Sequence, residues 1–479
     1  MATLQSVGVN MNNWRKPLYI FGPNEQDLQY LISRNEHLQN INPKNFEDHR
    51  RTTDEVLKVV MQGIRKFSGE QFEGLVLHDE LIKFGSSREG LKVIDALEFD
   101  SILIFDINGM IVEPAPGDAL GLVRLRVINA EALLERYPWT RKCEVFQKVG
   151  MNKYFINSRN LHLKVFESII DKTRELVNEQ LRAGETNFSL RRTAKPPTLD
   201  INITLNNERD INDLFNSFSN ITLQGQSTRM ESRSFNKSLD MDIVPALLLR
   251  HDYVPDPNTT NSPNGIRQMV CPVYAVMKWV HTPNSVMTSD KDSLWRVCTS
   301  GYERHILDVC QLNPSQQFLM TACRILKTYV SNQDGTNQLH TVAASNHLKT
   351  ICFHCITLLT IPKEYNSLSG VKEAMGYFLS FLDLCIRSKT LPHFFYGNPW
   401  LVLMFPDTSF GQEDDIKNLY GSMSPDTFRQ ATLSYAKMLL DLKRFYTEIE
   451  CLDADRIGRF KELLGLQHAY RKPGGVHMF

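Results

Sequence analysis

Apolar residues change their spacing at about residue 260, and that switch limits the fold more than any other feature of the chain. Ahead of it, strand-like runs alternate with helical ones. HDELIKF (78–84), EFDSILIFDI (98–107), LVRLRVI (122–128), TLDINITLNN (198–207) and SLDMDIVPALLL (238–249) are rich in apolar and β-branched residues. DEVLKVVMQGIRKF (54–67) and SRNLHLKVFESIIDKTRELVNEQL (158–181) have helical spacing, with Val56, Val59, Val60 and Ile64 near one face of the first. A Pro/Asn-rich stretch at 251–268 reads as a loop. Beyond it the apolar runs are helical: RHILDVC, QFLMTACRILKTYV, SNHLKTICFHCITLL, VKEAMGYFLSFLDLCI and FRQATLSYAKMLLDLKRF. The expectation is an α+β chain in two lobes. Residues 1–45 form a polar extension, 46–268 a mixed α/β lobe and 269–479 an all-helical lobe. Ligand sites favour the cleft between such lobes.

Composition narrows the function classes. With 42% hydrophobic and 23% charged residues the chain is neither disordered nor fibrous. Lys+Arg and Asp+Glu both number 54, which excludes a globally basic nucleic-acid binder but not a local basic face. Arg50, Arg51, Lys58, Arg65 and Lys66 stand against Asp54 and Glu55, a local excess of three positive charges on a helix face that is either solvated or turned to phosphates. Arg191, Arg192 and Lys195 form a second basic cluster. No apolar run approaches the ~20 residues of a membrane helix, and the start lacks a secretory apolar stretch. The expected location is therefore cytoplasmic, with no membrane partner. Nine scattered cysteines read as reduced thiols. Cys352 and Cys355 flank His354 in a C-x-x-C, but no second pair sits at zinc-ribbon spacing. They read as two thiols one turn apart on a buried helix, and no structural zinc is expected.

The chemistry concentrates in FGSSREGLKVIDALEFDSILIFDI (84–107). Glu98 and Asp100 lie two apart on an expected strand, so both carboxylates share a face. Two carboxylates side by side repel unless a cation lies between them. Mg²⁺ takes carboxylate oxygens and phosphates together, and Mn²⁺ suits the same donors. Upstream, Gly85 and Ser86 suit a turn whose backbone N–H groups face phosphate. A third carboxylate comes from SLDMDIVPALLL, as Asp240 or Asp242. Three carboxylates on adjacent strands can hold two metal ions for in-line phosphoryl transfer.

These segments resemble the cyclic GMP–AMP synthase (cGAS) and cGAS-like receptor family. GSSREGLKVIDALEFD is similar to its Gly-Ser…Glu-Phe-Asp block, and MDIVPALL to its third-carboxylate strand, which selects Asp242. LWRVCTSGYERHIL, ACRILKTYV, ASNHLKTICFH and LPHFFYGNPWLV resemble later family segments, in order, to about residue 410. The resemblance implies a bilobal nucleotidyltransferase fold with a long N-terminal spine helix. It implies that Glu98, Asp100 and Asp242 ligate metal. Gly85, Ser86, Arg296, Ser300, Glu303, Lys327, Ser345 and Asn346 then fall at nucleotide-binding positions. Where the family commonly has a tyrosine that stacks on a base, this chain has Asn346. The zinc insertion of the vertebrate DNA sensor is missing from DVCQLNPSQQFLMTA (308–322), the stretch ahead of the Lys327 helix, where only Cys310 occurs. The implied activity is synthesis of a cyclic dinucleotide from ATP and GTP in innate immune signalling. The implied activator is a double-stranded nucleic acid, RNA ahead of DNA, docked along Arg50, Arg51, Lys58, Arg65 and Lys66, with assembly of several copies on it. The alternatives are a catalytically inactive relative acting as an interaction protein, and an enzyme that extends RNA ends.

Overall fold

A computed structural model describes residues 43–450 except 92–97, 118–120, 152, 184–187, 193–197, 206–237, 257–267, 279–288, 313, 332, 334–337, 361–367, 369, 399–400, 402–404, 406–409 and 411–416. Most of the expected 1–45 extension, and Lys195, lie outside the described residues.

The i, i+3, i+4 spacing of Val56, Val59, Val60 and Ile64 does form a helix, α1 (Pro43–Gln71), and all four are buried. It runs beyond both ends of the expected 54–67. Strands β1 (Leu75–Leu77) and β2 (Ile82–Phe84) follow. The strand expected at 78–84 is thus corrected to its last three residues, β2, while His78 to Leu81 link it to β1, which lies just ahead of the expected range. Both pair antiparallel with β3 (Glu98–Ile107), β1 at its far end and β2 at Asp100–Ile102. Then come β4 (Val112–Pro116), β5 (Leu122–Val127), α2 (Ala130–Arg136), α3 (Pro138–Lys142), β6 (Phe146–Val149) and β7 (Lys153–Ile156). A π-helical turn (Leu161–Phe166) leads into α4 (Glu167–Ala183). Ile169, Ile170 and Val177 of α4 are buried in the same core as the apolar face of α1. The helices meet at Gly63, where an added Cβ would lie 2.5 Å from Thr173 Cγ2. Burying each Val or Ile side chain here is worth ~1.5–3 kcal/mol.

The sheet continues through β8 (Phe188–Arg191), β9 (Leu199–Leu205), β10 (Ser238–Pro255), β11 (Gln268–Met277) and β12 (Leu294–Cys298). Its main path runs β1-β3-β10-β11-β12-β5-β7-β6, with β9 also on β10. The β3–β10 pair is parallel and its other ladders are antiparallel, so this is a mixed sheet in an α+β chain. The stretch expected as a loop at 251–268 is partly strand. Arg250 to Pro255 pair with Val273 back to Gln268, so Pro255 falls inside a strand, while 257–267 lie outside the described residues. The short strands β4, β6, β7 and β8 carry no expectation of their own, whereas β11 and β12 correct the all-helical reading of 269–479, which holds only from Ser300 onward.

Helices follow from α5 (Ser300–Leu312): α6 (Pro314–Ser331), α7 (Ser345–Thr360), α8 (Val371–Ser388) and α9 (Pro425–Glu450). Two large apolar clusters result. One lies between α1, α4 and the sheet; the other fills the helical part. Strands β10, β11 and β12 feed both: Leu247, Ala275, Met277 and Trp295 the first, Val254, Cys271, Val273 and Val297 the second. Cys352 and Cys355 are buried free thiols, and His354 Nε2 meets the Pro392 carbonyl at 2.9 Å. Among the described residues no helix is long and apolar enough to cross a membrane.

Candidate metal centre

Strand alternation sends Phe99, Met241 and Ile201 into the apolar cluster and leaves Glu98, Asp100, Asp240 and Asp242 on the opposite face. The parallel register then sets who meets whom. Asp242 lies directly across from Asp100, and Asp240 across from Glu98. Glu98, Asp100 and Asp242 each offer an oxygen, and the three lie within 4.8 Å of one another. Two ligands ~2.1–2.6 Å from a common ion are at most about 5 Å apart, so the triad could hold a metal ion. Its donors are all hard carboxylate oxygens, which suits a hard divalent cation. Asp240 takes another partner: the Asn202 amide donates to its carboxylate. Spacing along the strand leaves Asp240 and Asp242 level; the clustering of oxygens and the Asn202 contact separate them.

Gly85 completes this corner. Its φ is +84°, and a Cβ there would lie 1.9 Å from Asp100 Oδ2. Glycine alone admits that backbone without strain and without striking the carboxylate. Ser87 Oγ donates to the Glu98 carbonyl at 2.6 Å, pinning the turn to the strand that carries two ligands. The half-buried Ser86 sits on the turn, where its carbonyl accepts from Leu91 N at 3.2 Å.

The remaining expected residues spread over the neighbouring elements. Arg296 is exposed on β12. Ser300 opens α5, its hydroxyl 3.1 Å from Cys298 Sγ. Glu303, in the first turn of α5, accepts from Thr299 Oγ1 at 2.7 Å and meets Lys349 Nζ at 2.6 Å. Burial alone would raise its pKa, but Lys349 and Thr299 outweigh that and lower it. Lys327 is buried on α6 and donates to the Leu91 carbonyl at 2.6 Å. Ser345 and Asn346 are exposed at the start of α7. On α1, Arg50, Lys58 and Arg65 pair with Glu47, Glu55 and Asp79, while Arg51, Lys58, Arg65 and Lys66 stay exposed. Asp54 of the same helix takes both Lys83 and Arg88, which flank Gly85.

Sequence reasoning passed over three groups. Asp200, fully buried on β9, lies in register beside Asp242; the D-x-N alternation of Asp200 and Asn202 was its only signal. Glu89 and Lys349 form a pair spanning most of the chain, with no local signal at all. Compared with models of known families and with curated proteins, the chain matches none.

Proposed function

We propose that the chain is a cGAS-like nucleotidyltransferase of bilobal fold that joins ATP and GTP into a cyclic dinucleotide. The observation that carries the reading is the gathering of Glu98, Asp100 and Asp242 across the β3–β10 pair, beside a glycine turn with no room for a Cβ. Bound there, divalent ions such as Mg²⁺ or Mn²⁺ neutralise phosphate charge and lower the pKa of an attacking hydroxyl. A ribose hydroxyl attacks the α-phosphorus of the second nucleotide; the new P–O bond expels pyrophosphate, and the hydroxyl proton leaves to solvent. A second round closes the ring. The chain's own residues position these groups. The turn at Gly85 and Ser86 faces the phosphates, while Arg296, Ser300 and Glu303 border the bases. Lys327 and Ser345 lie at the triphosphate side, and Asn346 takes the place of the tyrosine that stacks on a base. The basic face of α1 takes a duplex through its phosphates, RNA in preference to DNA, with salt-sensitive affinity.

Incubation with labelled ATP and GTP, Mg²⁺ or Mn²⁺, and a panel of duplex RNAs and DNAs tests this. Phosphatase-resistant dinucleotide that vanishes with Glu98→Ala is expected. Labelled polymer would replace the reading with RNA-end extension. No turnover under any condition, with Glu98→Ala indistinguishable, would leave an interaction protein.

A further inference from the structure

Lys349 stands one turn into α7, with its ammonium between two carboxylates from distant parts of the chain. Glu89 Oε2 is 2.5 Å away and Glu303 Oε2 is 2.6 Å away. All three side chains are largely withdrawn from water, at 18% exposure for Lys349, 3% for Glu89 and 23% for Glu303. Burial by itself disfavours the ammonium, but Glu303 and Glu89 outweigh it and hold its pKa above the ordinary value. Two carboxylates drawn this close repel unless a cation joins them, so the geometry at Glu303 depends on the lysine. Glu89 belongs to the segment that starts at Gly85. Its neighbours are gripped from the same side: Arg324 donates to the Gly90 carbonyl at 3.3 Å and Lys327 to the Leu91 carbonyl at 2.6 Å. Leu91 itself is buried in the helical cluster. Residues 85–91 thus touch the metal corner at one end and the helical core at the other.

We propose that Lys349 is a positioning residue that sets the Glu303 carboxylate and ties it to residues 85–91, so that the base side of the cleft and the turn at the metal corner move as one unit. This rests on the proposed function only for what Glu303 and the turn contact.

Amide hydrogen exchange on the full chain, without nucleotide, tests the coupling. Lys349→Met should raise exchange at least tenfold at both 85–91 and 299–305, and Lys349→Arg should restore most of the protection. Glu89→Gln, which weakens the Lys349 pair from the 85–91 side, should still loosen 299–305. This milder variant carries the test should Lys349→Met not fold. Faster exchange confined to α7, or an unaltered 299–305 segment in Glu89→Gln, would overturn the proposal. With active enzyme, Lys349→Met should lower kcat on the order of 100-fold and raise nucleotide KM, with Lys349→Arg recovering both. A general loss of folded protein would lower kcat and leave KM alone, and that result would also count against positioning. A wild-type chain without turnover would remove the proposed function, while the exchange result would still decide the coupling.

Discussion

Two carboxylate clusters lie on either side of residues 85–91, and they handle charge in opposite ways. Around Lys349, two carboxylates close on a cation that the chain supplies itself. On the β3–β10 pair, three carboxylates close on one another. The first is arranged as a finished structural joint. The second could hold a cation from outside. Substitutions of similar size should therefore move stability in opposite directions at the two places.

The largest effect is expected at the joint. Lys349→Met leaves two facing carboxylates with no counter-ion, and breaking such a buried pair costs ~3–5 kcal/mol, measurable by urea denaturation. The metal corner should do the reverse in the metal-free chain, where Asp100→Asn relieves repulsion and leaves stability equal or higher. Mn²⁺ at a hundred times its dissociation constant should stabilise the wild type by ~2.7 kcal/mol, and Asp100→Asn should abolish that shift. Destabilisation of the metal-free chain by Asp100→Asn would break the comparison. Gly85→Ala comes next: a left-handed backbone costs a non-glycine residue ~1–2 kcal/mol, and its methyl meets Asp100 Oδ2, so the Mn²⁺ shift should shrink as well.

The smallest effect concerns a third way of holding a titratable group, as a neutral one. His354 is buried against Phe381, with the Pro392 carbonyl as partner, and burial drives its pKa down to about 4. The unfolded chain takes up a proton near pH 6.5 that the folded chain refuses. The contribution is complete above that pH and is lost as pH falls toward 4, by up to ~1.4 kcal/mol per unit. Thermal melts between pH 7 and 5 should show the decline, and His354→Gln should flatten it. An unchanged slope would place the responsible proton elsewhere, for instance at His393, which burial and Lys417 depress to about 3.

What could be read from the sequence was what repeats locally. Val56, Val59, Val60 and Ile64 announce α1 because a helix face recurs within a few residues, and Glu98 with Asp100 announce a shared face because strands alternate. Spacing alone left Asp240 and Asp242 level and only the resemblance of MDIVPALL chose between them; that Asp242 lies within 4.8 Å of Glu98 and Asp100 depends on a pairing between segments far apart in the chain. The pairs of Lys349 with Glu89 and Glu303 were illegible for the same reason, since nothing near Lys349 hints at either partner. Strands of four or five residues such as β6, β7 and β12 exist through their ladders rather than through any periodicity of their own.

Because β10, β11 and β12 each contribute side chains to both apolar clusters, the sheet part and the helical part share strands among the described residues. Severing the chain near residue 299 should not release two folded fragments, and calorimetry should record one endotherm. Relative motion of the two parts would have to bend the three strands that both clusters share.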